Sequence, residues 1–239
     1  MFLLSLAAGS TLFAQDGGVT HPGTTSRRYH EYRQMISEPI YHLEQIKSLT
    51  KRIKADKEGN FRISDRVYNA LSFEEKFTFN MIHGEDATQN CDAMMGIMDE
   101  EKKIFGYIPS AFGDEITWSD RQREFLKKNR NKVIPLIRAT MKLRQRLGVN
   151  LKDAIMETNA VELIPDLIST YNLKKKDLDV LSLLMLLMKE GNFPEFMKSS
   201  SYTKLYGDKS NYKAFLEANS ANQKLIMDRA MAFYKTKFK

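Results

Sequence analysis

The chain has 239 residues, 42% hydrophobic and 28% charged, with a formal net charge of +7 at pH 7 and one cysteine. That apolar content supplies a core for one large domain or two small ones and excludes wholesale disorder. A single thiol excludes an internal disulfide, so stability must come from burial.

An uncharged apolar run opens the chain and gives way after Ala14-Gln15 to Asp16-Gly17-Gly18. This is the pattern of a secretory signal over residues 1–15, with cleavage expected near Ala14 and a periplasmic or secreted mature protein. The run is shorter than the ~20 apolar residues that span a bilayer. No Lys or Arg precedes Phe2, so either the start lies farther upstream or the signal is atypical. Residues 16–26, with Gly17, Gly18, Pro22 and Gly23, read as a flexible leader.

Residues 27–239 read as a single helical domain with a sub-boundary near 106–118. Tyr29, Tyr32, Met35 and Ile36 recur at helical steps, and Ser37 before Glu38-Pro39 predicts a cap that restarts the helix through Ile40, Leu43 and Ile46. Lys57 to Asn60 is a break. Ser72-Phe73-Glu74-Glu75 is a capping box, and Ser119 with Asp120 opens another helix. Cys91, among Met94, Met95 and Met98, reads as a buried thiol. Gly148 and Gly191 read as helix stops. Asn159 with Glu162, Ser210 before Tyr212 to Leu216, and Ser220 before Leu225-Ile226 mark later starts. Leu178 to Met188 predicts a buried central helix, and its most apolar stretch, Val180 to Met188, is too short to cross a membrane. Sustained alternation is absent, so the expected fold is all-α, an irregular multi-helix bundle. An apolar residue before proline recurs at Pro109, Pro135, Pro165 and Pro194, spacings that suggest a helical-hairpin, solenoid-like C-terminal half as the alternative.

One local cluster resembles a reactive site: His83, Glu85 and Asp86, with Asn90 and Asp92 behind. Histidine beside carboxylates serves acid–base chemistry or metal binding. Capping explains the same residues more simply: His83 at a helix C-terminus, Gly84 as left-handed stop, Asp86 capping the next helix with Gln89. Glu38 and His42 share a helical face as an ion pair. The chain carries no zinc-protease or di-iron spacing, no phosphate loop and no nucleophile elbow, so neither a metal nor a cofactor is expected.

Charge is the stronger signal. Arg121 to Arg146 holds ten basic residues and one acid, a balance of +9, while the rest of the chain sums to −2. At helical spacing Lys128, Lys132, Arg138, Lys142 and Arg146 fall on one side, opposite Val133, Leu136, Ile137, Met141 and Leu147. Such a face suits an anionic surface, and export disfavours nucleic acid as its partner. The expectation is an exported, non-catalytic binding or structural protein of the cell envelope. It would contact an anionic envelope component or an acidic protein surface. The alternatives are an envelope hydrolase using carboxylates with His83, and a helical-repeat scaffold for protein binding.

Overall fold

The computed structural model describes residues 21–88 and 96–238. The apolar run of residues 1–15, the cleavage point near Ala14, and Cys91 with Met94 and Met95 lie outside them. Among the described residues there are twelve α-helices and two short two-stranded ladders, so the fold is all-α. No helix among them is long and apolar enough to cross a membrane.

Helix α1 (Thr24–Gln34) starts inside the stretch expected to be leader, and its i,i+4 pair Tyr29 and Arg33 is buried. Residues 35–40 are then non-helical, because proline disfavours helix at the residue before it. Ser37 therefore caps nothing. Its hydroxyl accepts the Gly148 amide (2.8 Å) and its own amide donates to Asn150 Oδ1 (2.9 Å). Helix α2 (Leu43–Thr50) begins only after His42, at φ 52°, so Glu38 and His42 share no helical face and Glu38 pairs with Lys47 at 2.9 Å. The break expected at residues 57–60 is a turn with Gly59 at φ 86°.

Helix α3 (Asp65–Ala70) is capped by Ser64, and α4 (Phe73–Ile82) opens on the expected Ser72–Glu75 capping box. Helix α4 bridges two cores, sending Phe79 into a small cluster with Ile46 and Tyr68, and Phe77 and Met81 into the main one. Strand β1 (Asp86–Ala87) follows, then a 3-10 turn at Glu100–Lys102, β2 (Lys103–Phe105) and β3 (Ile116–Thr117). Strands β1 and β3 pair antiparallel, Asp86 opposite Thr117. Ser119 opens α5 (Asp120–Lys128), its amide held by Gln122 Oε1 at 3.1 Å.

Helix α6 (Arg130–Arg144) ends on Gln145 at φ 47°, so the left-handed stop is Gln145 and not Gly148. Gly148 instead precedes α7 (Val149–Glu157), and a Cβ there would overlap the Ser37 amide and the Ile36 carbonyl carbon. Asn159, at φ 44°, lies just past the end of α7 rather than capping α8 (Ile164–Lys174), which has Pro165 in its first turn. The chain continues through α9 (Asp179–Glu190), α10 (Pro194–Met197), α11 (Ser200–Tyr206), β4 (Phe215–Glu217) and α12 (Ser220–Lys237). The helix expected over Tyr212 to Leu216 does not form: β4 pairs antiparallel with β2, Ile104 opposite Leu216, and that pairing outweighs local propensity.

Helix α9 is the predicted central helix, with Val180, Leu181, Leu183, Leu184, Met185, Leu187 and Met188 all buried. Helices α7, α8, α10 and α12 and strand β2 pack on it. Helix α12 crosses at Gly191, where a Cβ would collide with the Phe233 ring. A helix enclosed on so many sides belongs to a bundle, whereas in a solenoid each repeat touches only its neighbours. The prolines confirm this, since Pro165 and Pro194 start helices, Pro135 is inside α6, and Pro109 is in a loop.

The N-terminus of α9 carries a buried charge network. Arg33 donates to Asp179 (2.8 and 3.0 Å) and to Glu100, and its guanidinium lies 4.8 Å from the Phe105 ring centre. Lys152 of α7 reaches Asp177 (2.7 Å) and Asp179 (3.7 Å). His30 caps the network from outside, its Nδ1 3.1 Å from Glu100. That hydrogen bond, reinforced by the Glu100 charge, raises the His30 pKa above its ordinary value against desolvation and the nearby Arg33.

Two outcomes are expected. Gly148→Ala should destabilise the fold by roughly 1–3 kcal/mol in urea unfolding, the usual cost of overpacking. A loss within error of zero would mean that the Ser37 segment is free to move away. For His30, a raised folded pKa means that its contribution is full below the unfolded value of about 6.5 and lost as pH rises through the folded value. His30→Gln should therefore reduce the fall in stability as pH rises above about 6.5, followed by melting temperature.

Candidate functional site: a cationic patch and a carboxylate cleft

The stretch Arg121 to Arg146 is not one helix. Asn129 breaks it between α5 and α6, and Gln145 ends α6 before Arg146. Most of its charge is also matched from elsewhere in the fold. Arg121 binds Glu85 and Asp65, Arg123 and Lys127 flank Glu157, and Arg130 binds Glu162. Arg138 binds Asp166 at 2.9 Å, with Lys142 at 3.8 Å from the same carboxylate. Lys128 pairs with Glu124 one turn away, and Lys132 lies 5.7 Å from the Phe73 ring centre. The five residues expected to share a cationic face thus part company. Lys128 is on α5, Lys132, Arg138 and Lys142 are on α6, and Arg146 is beyond it.

Cations gather instead where α6 and α8 end together. Arg146 donates to the Tyr32 and Met35 carbonyls (2.7 and 3.1 Å), and its guanidinium lies 4.5 Å from the Tyr32 ring centre. Lys176 approaches the same ring at 4.4 Å. Arg144 donates to the Glu38 carbonyl at 2.9 Å, and Lys174 and Lys175 close α8. Among the described residues none of Arg144, Arg146, Lys174, Lys175 and Lys176 forms an ion pair. Leu143 and Leu173, 56% and 64% exposed, stand on the same helix ends, and Met35 is 53% exposed beside Arg144 and Arg146 in a shallow groove. Arginine and lysine stems cover apolar surface while their charges reach solvent, which makes such a patch amphipathic.

Beneath the patch is a cavity of about 20 Å³ bordered by Tyr32, Arg146, Tyr171 and Asp177. Arg146 Nε, the Tyr171 hydroxyl and Asp177 Oδ2 are buried there without hydrogen-bond partners among the described residues. A void of that size holds one water. Burial pushes the Tyr171 hydroxyl up to about 12, and desolvation raises the Asp177 carboxyl against the pull of Lys152.

His83, Glu85 and Asp86 serve the scaffold. His83 does end α4, but in extended conformation, and its Nε2 donates to the Phe61 carbonyl at 2.7 Å. Desolvation lowers its pKa, so it is a neutral donor and not the dipole-stabilised cation expected of a helix end. Glu85 is fully buried and accepts from Ser119 (2.6 Å) and Arg121. Asp86 is in β1 and pairs with Arg62 at 2.6 Å, so it caps no helix; Gln89, Asn90 and Asp92 lie outside the described residues. Gly84 is not left-handed either. A Cβ there would collide with Phe112, Ile116 and the Thr117 carbonyl, so this glycine permits close passage of the 112–117 segment.

That segment walls a cleft of about 320 Å³ whose floor is α7. Asp153 and Glu157, one turn apart on α7, face Arg123 of α5, with Pro109, Ser110, Phe112, Thr117 and Trp118 opposite. Asp153 Oδ2 accepts the Ala111 amide at 2.8 Å. Desolvation pushes the Asp153 carboxyl up to about 7, against that hydrogen bond and the charges of Arg123 and Lys152. Sequence reasoning missed this pair. Its one signal was the i,i+4 spacing of the two acids on α7. Among the described residues no group of three His, Cys, Asp or Glu side chains gathers in metal-binding geometry.

The stretch thus contains charges of different worth. Arg121→Met strands the buried Glu85 and should cost about 3–5 kcal/mol. Lys128→Ala removes only an exposed i,i+4 pair and should cost no more than about 0.5 kcal/mol. Urea denaturation separates the two, and equal losses would contradict the assignment.

Comparison with protein-family models, with curated proteins and with solved structures finds no match for this chain.

Proposed function

We propose that the protein is an exported, non-catalytic helical protein that docks on an anionic lipid surface of the cell envelope. The docking element is the patch at the joined ends of α6 and α8. The observation that carries this is the set Arg144, Arg146, Lys174, Lys175 and Lys176, free of ion pairs among the described residues, at helix ends that also expose Leu143 and Leu173. Cations next to exposed leucines suit an interface where headgroups are charged and the layer beneath is apolar. An acidic glycan would use the charges but leave the leucines without a role. Export rests on the apolar run of residues 1–15. Of the residues first grouped as a cationic face, Arg146 belongs to this patch, whereas Arg138 and Lys142 face Asp166 of α8.

Each basic side chain near an anionic membrane contributes about 1 kcal/mol, and the attraction is screened by salt. The wild-type chain should sediment with vesicles of phosphatidylglycerol and phosphatidylcholine in equal parts, less so at high salt, and not with phosphatidylcholine alone. The triple variant Arg144→Glu, Lys174→Glu, Lys176→Glu should bind at least roughly tenfold more weakly. Reversal of Lys128 and Lys132, away from the patch, should change binding little. Retention unaffected by the triple variant, or equal retention by neutral vesicles, would overturn the proposal.

A further inference from the structure

The cleft over α7 is separate from the docking patch, and its chemistry points to a different kind of ligand. Its volume of about 320 Å³ is at the lower end of small-molecule sites, which run from ~300 to ~1,000 Å³. We propose that it binds a neutral polyhydroxylated ligand, a saccharide unit, with Asp153 as the residue that governs affinity.

The lining decides among ligand charges. Glu157 is held by Arg123 at 3.0 Å and Lys127 at 2.9 Å, so its charge is already answered and a cationic ligand gains little from it. An anion gains little either, because the one cation in the lining, Arg123, is already held by Glu157 and Thr117 Oγ1. A neutral ligand meets neither objection. Asp153 lines the cleft, and its Oδ2 is occupied by the Ala111 amide, whereas Oδ1 carries no hydrogen bond among the described residues. The protonated carboxyl can donate one hydrogen bond and accept others, which matches a hydroxyl group's own mixed character. Ser110 and Thr117 add hydroxyls to the lining, and Pro109, Phe112 and Met156 add apolar surface against which a sugar ring's C–H face can lie.

The cleft is also held firmly, as a recognition site requires. Trp118 is fixed by donation from Nε1 to the Asn80 carbonyl at 2.6 Å and by edge contact with Phe112. Arg123 is fixed by Glu157 and by Thr117 Oγ1 at 2.7 Å. The β1–β3 pairing and the close passage at Gly84 hold the outer wall. The charged groups acting on Asp153 are Arg123 of α5 and Lys152 and Glu157 of α7. Of these, Lys152 is committed to Asp177.

Trp118 is the chain's only tryptophan and lines the cleft, so its fluorescence reports occupancy directly. Glucose, N-acetylglucosamine, maltose, cellobiose and chitobiose, titrated into the purified protein, are the probes. At least one should give a saturable change. Affinity for that sugar should fall about tenfold from pH 6 to pH 8, as a carboxyl near pH 7 ionises. Asp153→Asn keeps a donor and an acceptor and should bind with that pH dependence removed. Asp153→Ala should lose at least tenfold, with circular dichroism establishing that each variant is folded. No saturable response to any of the five sugars would overturn the proposal, as would wild-type affinity flat across pH 6–8. Undiminished binding by folded Asp153→Ala would do the same. None of these outcomes bears on vesicle binding.

Discussion

Arg33 cannot be buried alone. A guanidinium removed from water is tolerated only with its charge answered and its donors used, and here the answers come from far along the chain. Asp179, at the start of the central helix α9, and Glu100, in the turn before β2, converge on it, while Lys152 of α7 completes the network from the other side. The rest of the fold is arranged around this constraint. Helix α1 must pass the end of α9, β2 must leave the 3-10 turn beside it, and α7 must run alongside. Replacing such a cluster by apolar side chains is often neutral for stability. Its contribution here is therefore best seen as register, since a helix slipped by one turn would strand a charge.

The same principle governs the basic stretch. A run of +9 in the sequence looks like a binding face. In three dimensions Glu85, Glu157, Glu162 and Asp166 are delivered to it by segments before and after, so these cations clamp α5 and α6 onto their neighbours. Lys132 apart, what remains without an ion pair among the described residues is the small group at the ends of α6 and α8, part of which comes from the lysine run 174–176. Only the fold brings that run beside Arg146.

The His83 segment shows how a motif can be informative for the wrong reason. Its residues are structural: His83 anchors the 61 region, Glu85 answers Arg121, and Gly84 lets the 112–117 segment cross closely. That crossing builds a wall of the cleft that holds Asp153. A cluster resembling a reactive site thus supports a cleft whose own lining residues, Asp153, Glu157 and Arg123, carry no motif.

Local chemistry alone determined the all-α class, the Ser72 capping box, the start of α5 at Ser119, and the buried helix at 180–188. Each depends on side chains within a turn or two of one another, or on a stretch too apolar to lie anywhere but inside. Only tertiary structure decided the rest. Ser37 caps no helix because Gly148 and Asn150 claim its polar groups, residues 215–217 are a strand because β2 is adjacent, and the acids that neutralise the basic stretch arrive from other elements. The site residues divide the same way. Lys142 and Arg146 were visible as cations, but whether a cation is free depends on which carboxylate the fold brings within reach, and that is a property of packing.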